Sequence, residues 1–372
     1  MTQPTRRHLL AALAAAAATS KTLPAADFKP VEWGPVVDGP DSAFQRNGSE
    51  VVVHPGSNFP AWLRSRQMYE NFHLKGEFFL KGWMDSAIYL HAPRYGRPGW
   101  SGLEVKIFHQ QEEKPTPYSC GSLFPLIAPR TIKLNNKGEW NTVEIVMDWP
   151  KLKVTMNEAV VQDFDLTSHP EFRYRLQRGY LGLQSLSYPI RYRNFSIQEL
   201  PAKEKWTHLY STAADAAQWE LSEGKPRMEA LGDILRLEGL GHLRTKSQYQ
   251  DFELHSYIRT SRQHNGGFIF RSEGRGTRGA RSYEIQLHNV EGAHFPTGSL
   301  YHYKRATYPR IQDEKWFLYQ MVVKGKTCLV RINGETVMEY DQLDNTQPGY
   351  LELQAHHEGT WMELRELKIK PA

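Results

Sequence analysis

The chain has 372 residues, with 46 Lys and Arg against 41 Asp and Glu, 40% hydrophobic residues, 12% aromatic residues and two cysteines. This length suits two domains or one large β-rich domain, and it excludes a small scaffold held together by disulfides. The net charge of +5 is spread through sequence of mixed sign, which excludes the basic surface of a nucleic-acid-binding protein.

The N-terminal segment has the layout of an export signal. Arg6 and Arg7 directly precede an apolar run over residues 9–18, and small residues follow that run. The arginine pair is typical of the twin-arginine route. About 20 apolar residues are needed to cross a bilayer, so the run is too short for a membrane span. We therefore expect residues 1–26 to be a signal peptide, the mature protein to be periplasmic or extracellular, and no stable membrane insertion once the signal is removed.

The remainder of the chain is an internal duplication. Segments of its two halves match in the same order, at an offset of about 180 residues that shortens through loop deletions. The paired segments are 69–74 with 249–254, 85–90 with 265–270, 102–107 with 282–287, 121–123 with 298–300, and 179–184 with 349–354. We predict a first domain over residues 27–200 and a second over residues 201–372, in contact because the link near Pro201 is short.

Each half has the hydrophobic pattern of strands with one buried face. Residues 252–258, 282–288 and 318–323 alternate apolar and polar side chains. The dipeptide Asn333-Gly334, between two further strand segments, predicts a two-residue hairpin, and residues 211–219 predict one short helix. The pattern indicates an all-β fold of two antiparallel jelly-roll sandwich domains, with some twelve strands or more in each half.

The two cysteines fall at non-equivalent places in the two halves. They are Cys120 and Cys328, and an exported protein would meet conditions that permit disulfides. Because the positions do not correspond, we predict two buried free thiols.

A polar row lies on one predicted strand of the second half. Glu284, Gln286 and His288 project to one face, and the apolar residues between them face the other. Such a row is costly to bury without partners, so this face is either a polar cleft or open to solvent, with His288 then a plain surface histidine. Arg271 ends the preceding strand, and beside Glu284 it would lower the pKa of that acid and keep it ionised.

Two further segments add polar and aromatic groups to the same half. The strand over residues 350–357 carries Gln354 and His356 on one face, and the loop over residues 298–305 carries Tyr301, His302 and Lys304. Aromatic and cationic groups of this kind stack on sugar rings and hold hydroxyls. We therefore predict a saccharide-binding cleft. Further possible platforms, most of which we expect to pack in cores, are Trp100, Tyr118, Tyr308, Trp316 and Trp361.

Ordered motifs of the second half lie at residues 265–271, 283–286, 297–301, 315–316, 333–334 and 349–354. Together they resemble the 3-keto-disaccharide hydrolase family, and the first half resembles it again. The resemblance covers nearly the whole mature chain. It implies a concanavalin-like lectin/glucanase sandwich, an exported bacterial protein, and cleavage of glycosides already oxidised at C3 of the sugar.

The halves do not match this family equally. The second keeps Arg271 and Gln286 where the first has His91 and Lys106, and an acidic residue expected soon after the glutamate strand is absent from both. We therefore favour the second half as the active one. The first half, with Glu104 as a substrate-binding candidate, is then a degenerate copy that buttresses or binds.

The implied chemistry defines which groups the site needs. A ketone at C3 acidifies the proton on C2, so loss of that proton can expel the C1 aglycone by β-elimination, after which water is added back. A base must reach C2, a donor must stabilise the enolate oxygen, and an acid must protonate the leaving oxygen. Our candidates are Glu284 or His288 as base, Arg271 as anchor of the enolate or a hydroxyl, and His356 as acid or metal ligand.

Other interpretations stay open at this point. Direct hydrolysis needs two carboxylates about 5 to 9 Å apart, and it would pair Glu284 with Glu352 or Glu358. No cofactor is required by the pattern, but Glu284, His288 and His356 could hold a divalent metal ion. A non-catalytic carbohydrate-binding protein would use the same fold, and a partner-binding domain is a third class. The expected partner is a saccharide, and the pattern does not define an oligomeric state.

Overall fold

The structure is a computed structural model that describes residues 27–56, 60–109, 114–203, 205–274 and 281–372. The predicted signal peptide, residues 1–26, lies outside these ranges. Within them, nearly all regular structure is β-strand, as the alternating pattern predicts. None of the described helices is both long and apolar enough to cross a membrane.

The first half contains thirteen strands in its described ranges and two one-turn helices. They are β1 (Lys29–Pro30), β2 (Trp33–Val37), β3 (Phe44–Asn47), β4 (Glu50–Val53), β5 (Ala61–Tyr69), β6 (Asn71–Phe79), β7 (Asp85–Ala92), α1 (Pro98–Ser101), β8 (Leu103–Phe108), β9 (Trp140–Asp148), β10 (Lys151–Met156), β11 (Ala159–Asp165), α2 (Pro170–Arg173), β12 (Gly179–Ser185) and β13 (Arg191–Leu200). Two short 3₁₀ segments cover Asp41–Ala43 and Leu166–Ser168.

These strands form two antiparallel sheets. The front sheet has the order β2-β5-β12-β7-β8, and the back sheet has the order β11-β10-β9-β6-β13-β4-β3, with β1 beside β13. Alternate residues of each strand point between the sheets, as Leu103, Val105 and Ile107 of β8 do. The apolar side chains of the two inner faces make one core, which leaves the outer face of the front sheet free to carry polar groups.

The second half contains eleven strands in its described ranges. They are β14 (Thr207–Tyr210), β15 (Trp219–Gly224), β16 (Arg227–Leu231), β17 (Ile234–Tyr249), β18 (Phe252–Thr260), β19 (Gly266–Ser272), β20 (Tyr283–Leu287), β21 (Phe317–Lys324), β22 (Thr327–Ile332), β23 (Glu335–Tyr340) and β24 (Gly349–Pro371). The predicted short helix is a 3₁₀ segment over Ala213–Gln218.

Two long strands run through both sheets of the second half. β17 and β24 pair with β15 and β19 in a front sheet of order β20-β19-β24-β17-β15. Their other ends join β16 and β18 in the back sheet, which continues through β21 and β22 to β23. In the first half the corresponding paths are divided, into β4 and β5 and into β12 and β13. Two tandem jelly-roll sandwiches are thus confirmed.

Two local predictions are also confirmed. Asn333 and Gly334 make the turn between β22 and β23, with φ angles of 51° and 87°, the left-handed conformation that a two-residue hairpin requires. Cys120 and Cys328 are buried free thiols.

The two halves contact each other through the back sheet of the second. Tyr95 of the first half stacks on Trp316 of the second, with ring centroids 5.7 Å apart. Arg94 donates its backbone N–H to the Tyr257 hydroxyl at 2.7 Å and its side chain to Glu366 at 2.9 Å. A small apolar cluster, Leu176 with Tyr257 and Leu318, lies between them. The two halves therefore pack against each other through this contact.

Candidate functional site

The second-half site is a row of polar side chains on the outer face of its front sheet. Tyr283, Ile285 and Leu287 of β20 point into the core, so Glu284 and Gln286 point outward. Glu284 lies opposite Ile269, which lies opposite Glu352 on the far side of β19. With strands spaced by about 4.8 Å, the two acids sit on backbones about 10 Å apart.

Glu284 is a buried acid whose carboxylate makes no hydrogen bond or ion pair within the described part of the chain. It is 6% exposed, and burial raises its pKa to about 7, against a smaller lowering by His242. Gly267 makes room for it, because a Cβ there would stand 3.0 Å from Glu284 Oε1. Near pH 7 this carboxyl is thus divided between its neutral and ionised forms, the state that suits proton transfer.

The expectation that Arg271 keeps Glu284 ionised is wrong. The strand pairing shifts register between Ile269 and Ser272, and Arg271 has a φ of 51°, so the alternation breaks just before this side chain. Its buried guanidinium donates to the Asn345 carbonyl at 2.6 Å and to Asp251 at 3.1 Å. Arg271 therefore holds the loop that contains Asn345 against the sandwich, and its guanidinium makes no hydrogen bond to Glu284.

His242 and Glu352 form a pair that the sequence analysis does not predict, since it considers Glu352 only as a second carboxylate for Glu284 and omits His242. His242 Nδ1 lies 3.2 Å from Glu352 Oε2, Ser222 Oγ donates to the same oxygen at 2.9 Å, and Ser272 Oγ donates to Oε1. Burial alone would raise the pKa of Glu352, but these hydrogen bonds outweigh it and hold the pKa below its ordinary value. An ionised carboxylate here fixes the imidazole and leaves Nε2 available, as in other carboxylate-oriented histidines.

His242 also lies near the other titratable groups of the row. Its charge acts on Glu284 and on His356. Burial lowers the pKa of His356, and His357 and His242 lower it further. The site thus brings together an acid with a raised pKa, an acid with a lowered pKa and two imidazoles. Gln354 lies beside His242 in the strand pairing, in the same row as Gln286.

The alternation rule could have found His242. His242 corresponds to Trp62 at the offset of 180, because residues 241–245 of the second half match residues 61–65 of the first. The next residue of β17, Leu243, points into the core. What the sequence does not show is its register against β24, because the paired residue Gln354 is far along the chain.

The predicted metal set is not assembled. Glu284 and His288 are four residues apart on an extended segment, so their backbones are about 13 Å apart. Separately, burial and the charge of His357 lower the pKa of His288. Among the described residues, no group of three or more His, Cys, Asp or Glu side chains is placed to hold a metal ion. Glu284, His288 and His356 therefore do not fit a common metal centre in this arrangement.

The predicted loop lies along the free edge of β20. Tyr301 donates its backbone N–H to the Glu284 carbonyl at 2.9 Å, and its ring is 4.1 Å from the ring of His302. His302 and Lys304 are exposed. The loop thus borders the Glu284 row, while Trp316, a predicted platform, is instead taken up by Tyr95 at the contact between halves.

The first half repeats the glutamate but not its neighbours. Glu104 is 9% exposed, and burial raises its pKa to about 7, with Lys106 lowering it and Asp85 raising it by lesser amounts. In the equivalent strand pairing, Trp62 stands where the second half has His242, and Gly182 where it has Glu352. The imidazole–carboxylate pair therefore belongs to the second half.

The comparisons with known proteins agree with the motifs. A profile of the 3-keto-alpha-glucoside-1,2-lyase-like domain matches the chain twice, over residues 24–198 and 204–370, which confirms the duplication. A search of curated proteins finds no match.

Solved structures with a similar fold each align with somewhat less than half of the chain. A candidate glycosyl hydrolase from Parabacteroides distasonis has 18% identity and a TM-score of 0.39, covering 45% of this chain and 100% of its own. The carbohydrate-binding module CBM66 from Bacillus subtilis has 12% identity and a TM-score of 0.28, covering 41% and 90%. A Bacillus subtilis protein of unknown function with a galectin-like fold has 10% identity and a TM-score of 0.35, covering 46% and 96%.

Proposed function

The chain belongs to the 3-keto-alpha-glucoside-1,2-lyase-like family, and on that premise we propose that its second half cleaves 3-keto-glucosides by β-elimination followed by hydration. The observation that carries the proposal is that Glu284, whose pKa burial raises to about 7, shares the outer face of the front sheet with an imidazole held by the Glu352 carboxylate. An acid and a base on one face of the sheet are what elimination requires.

In the first step His242 acts as the base. Its Nδ1 side faces Glu352, so Nε2 takes the proton from C2, and the electron pair of that C–H bond forms the C1–C2 double bond as the C1–O bond breaks. Neutral Glu284 gives its proton to the leaving oxygen. The Glu352 carboxylate stabilises the imidazolium that results. In this proposal an amide N–H of Gln354 or Gln286 donates to the developing enolate oxygen at C3.

The second step reverses these proton movements. Glu284, now ionised, removes a proton from water as its oxygen adds to C1, and the His242 imidazolium returns a proton to C2. The products are 3-keto-glucose and the free aglycone, and both residues regain their starting protonation states. A group with a pKa near the working pH can act in both directions.

Direct hydrolysis by two carboxylates is less well supported. Glu352 is fully buried and its two oxygens already hold hydrogen bonds from Ser222, Ser272 and His242. It would have to give these up to attack a sugar carbon or to activate water.

The test is incubation of the purified chain with a 3-keto-α-glucoside and with its unoxidised parent, each with and without a chelator, followed by product analysis. We expect aglycone release from the oxidised glucoside alone. Equal cleavage of both would contradict the proposed chemistry, and binding without any product would support a carbohydrate-binding role instead. The enone formed by elimination, supplied directly, should be hydrated to 3-keto-glucose; a direct hydrolase would leave it unchanged.

We also propose that the protein is exported through the twin-arginine route. The support is the Arg6-Arg7 pair before a short apolar run. A reporter fused after residue 26 should leave the cytoplasm, and replacement of both arginines by lysine should retain it there. Export that is unaffected by the double replacement would exclude this route.

A further inference from the structure

Two adjoining clefts flank Glu104 in the first half, on either side of α1. One, of about 400 Å³, is lined among others by Trp62, Tyr89 and Gln184. The other, of about 440 Å³, is lined among others by Phe124 and Leu126. Gly99, Trp100 and Glu104 line both. Volumes in this range suit small ligands, and two clefts that share a wall suit a ligand of two linked units.

The shared wall carries an exposed aromatic ring above a buried acid. Trp100 is 42% exposed although it is a large apolar residue, and the Arg97 guanidinium lies 4.2 Å from its ring centre. A Cβ at Gly99 would stand 2.5 Å from Glu104 Oε2, so the α1 backbone lies directly over the carboxylate. Within the described ranges that carboxylate has no hydrogen-bond partner. An aromatic face beside polar groups is the usual recognition surface for a pyranose ring.

A second buried side chain that lines this cleft, Gln184, has one acceptor without a partner in the described part of the chain. The Gln184 side chain is 9% exposed. Its Nε2 donates to the Tyr89 hydroxyl, while its Oε1 has no partner among the described residues. Buried acceptors without partners are uncommon in folded proteins and are costly. Two ligand hydroxyls in this cleft, one donating to Gln184 Oε1 and the other to the ionised Glu104 carboxylate, would satisfy both groups.

The floor of this cleft is aromatic where the second-half site is polar. Trp62 and Tyr89 meet edge to face, with centroids 5.9 Å apart. Gly182 permits this, because a Cβ there would stand 2.6 Å from the Trp62 ring. With Trp62 and Gly182 in place of His242 and Glu352, the cleft has no carboxylate-oriented histidine among its described residues. It is equipped to hold a sugar and not to deprotonate one.

The second half closes the outer cleft. Gly334, Glu335 and Thr336, from the tip of the β22–β23 hairpin, line it together with Trp100. The contact is close, because a Cβ at Gly334 would stand 2.2 Å from the Trp100 carbonyl oxygen. Arg175, in the first half, donates to the Gly99 carbonyl at 2.7 Å and to the Trp100 carbonyl. The cleft is thus complete only when both halves are present.

We propose that the first half is a non-cleaving site for a saccharide of at least two units, completed by the hairpin tip of the second half. One sugar ring lies over Trp62 and Tyr89, and the next lies between Trp100 and Thr336. The site is distinct from the Glu284 row, and its test measures binding, so failure of cleavage at Glu284 does not decide it.

The experiment is titration calorimetry of the full chain with maltose, trehalose and cellobiose, and with glucose as the single-unit probe. At least one disaccharide should bind, and glucose should bind about tenfold more weakly or worse. Trp100→Ala removes the aromatic ring that the first half offers to the sugar, and Thr336→Trp fills the outer cleft from the second half. Each variant should weaken disaccharide binding by about tenfold or more. Their matched controls are Trp83→Ala and Glu339→Trp, which alter exposed positions outside the clefts.

Both test positions are exposed, so folding is checked by thermal unfolding of each variant. Normal binding by Trp100→Ala and Thr336→Trp would overturn the proposal. So would equal losses in the two controls, or the absence of binding of all three disaccharides to the unmodified chain. Loss with Trp100→Ala but not with Thr336→Trp would overturn the contribution of the second half.

Discussion

Glu284 and Glu104 occupy one position in two copies of the same fold, and burial sets the protonation of both. The pKa of each is raised to about 7, chiefly by desolvation. In our proposal, the neighbours of the two acids separate their roles. His242, oriented by Glu352, is the proposed base of the second half, whereas Trp62 forms an aromatic floor with Tyr89 in the first half. The same residue at equivalent positions of two repeats can thus have different roles, and its neighbours on the adjacent strands have to be known before a role is assigned.

The raised pKa of Glu284 predicts a pH-dependent stability difference. The folded protein binds the Glu284 proton more tightly than the unfolded chain, whose carboxyl has its ordinary pKa near 4.5. The free energy of unfolding therefore decreases as the pH rises from about 4.5 to about 7. Glu284→Gln removes the effect. The free energy of unfolding of this variant, minus that of the unmodified chain, should rise by about 3 kcal/mol between about pH 4.5 and about pH 7. Above that range the difference should stay constant. Urea unfolding at a series of pH values measures this, and a difference that does not change with pH would contradict a buried, uncompensated acid.

At the scale of elements, strand alternation and turn chemistry account for what the sequence could predict. Both sandwiches, the Asn333-Gly334 hairpin and the outward row of Glu284 and Gln286 follow from local pattern. Arg271 could not be placed, because a break in the β19 register turns its side chain out of the row. His242 and Glu352 could not be paired either, since they are 110 residues apart and only the register of β17 against β24 brings them together.

The hairpin between β22 and β23 yields a stability prediction. Gly334 has a φ of 87°, and a Cβ there would stand 2.2 Å from the Trp100 carbonyl oxygen of the other half. Gly334→Ala should therefore lower the free energy of unfolding by backbone strain and by a backbone clash, in total by more than about 2 kcal/mol.

The matched control is Gly325→Ala, in the turn between β21 and β22. Gly325 has a φ of 54°, and a Cβ there would meet nothing within 4 Å. This variant adds backbone strain without a clash, so its loss should be clearly smaller, about 1 kcal/mol. Thermal or urea unfolding gives both values, and equal losses would show that the contact between hairpin and α1 is not tight.

At the scale of the whole molecule, the duplication has produced two copies that depend on each other. The back sheet of the second half contacts the first through the Tyr95–Trp316 stack, the Arg94–Glu366 ion pair and the cluster around Leu318. The same contact brings the hairpin tip to the first-half clefts. We propose that one half cleaves the substrate and the other binds sugar without cleaving it. Both proposed sites then depend on the observed contact between the halves.

This contact predicts cooperative unfolding. Calorimetry of the unmodified chain should show one transition, because each half loses packing when the other unfolds. Leu318 is 2% exposed at the contact, and Leu318→Asp would bury an unpaired charge there. We expect this variant to unfold in two separate transitions. Two well-separated transitions in the unmodified chain would contradict a tight contact between the halves.

The central claim is that the Glu284 row of the second half cleaves a 3-keto-glucoside, and the rate of aglycone release from a 3-keto-α-glucoside tests it most directly. The measurement compares the unmodified chain with Glu284→Gln, which keeps the shape of the side chain but cannot transfer its proton, and with Glu339→Gln at an exposed position of the same half. The account predicts a loss of about 10²- to 10⁴-fold for Glu284→Gln and an unchanged rate for Glu339→Gln. An unchanged rate for Glu284→Gln would contradict it.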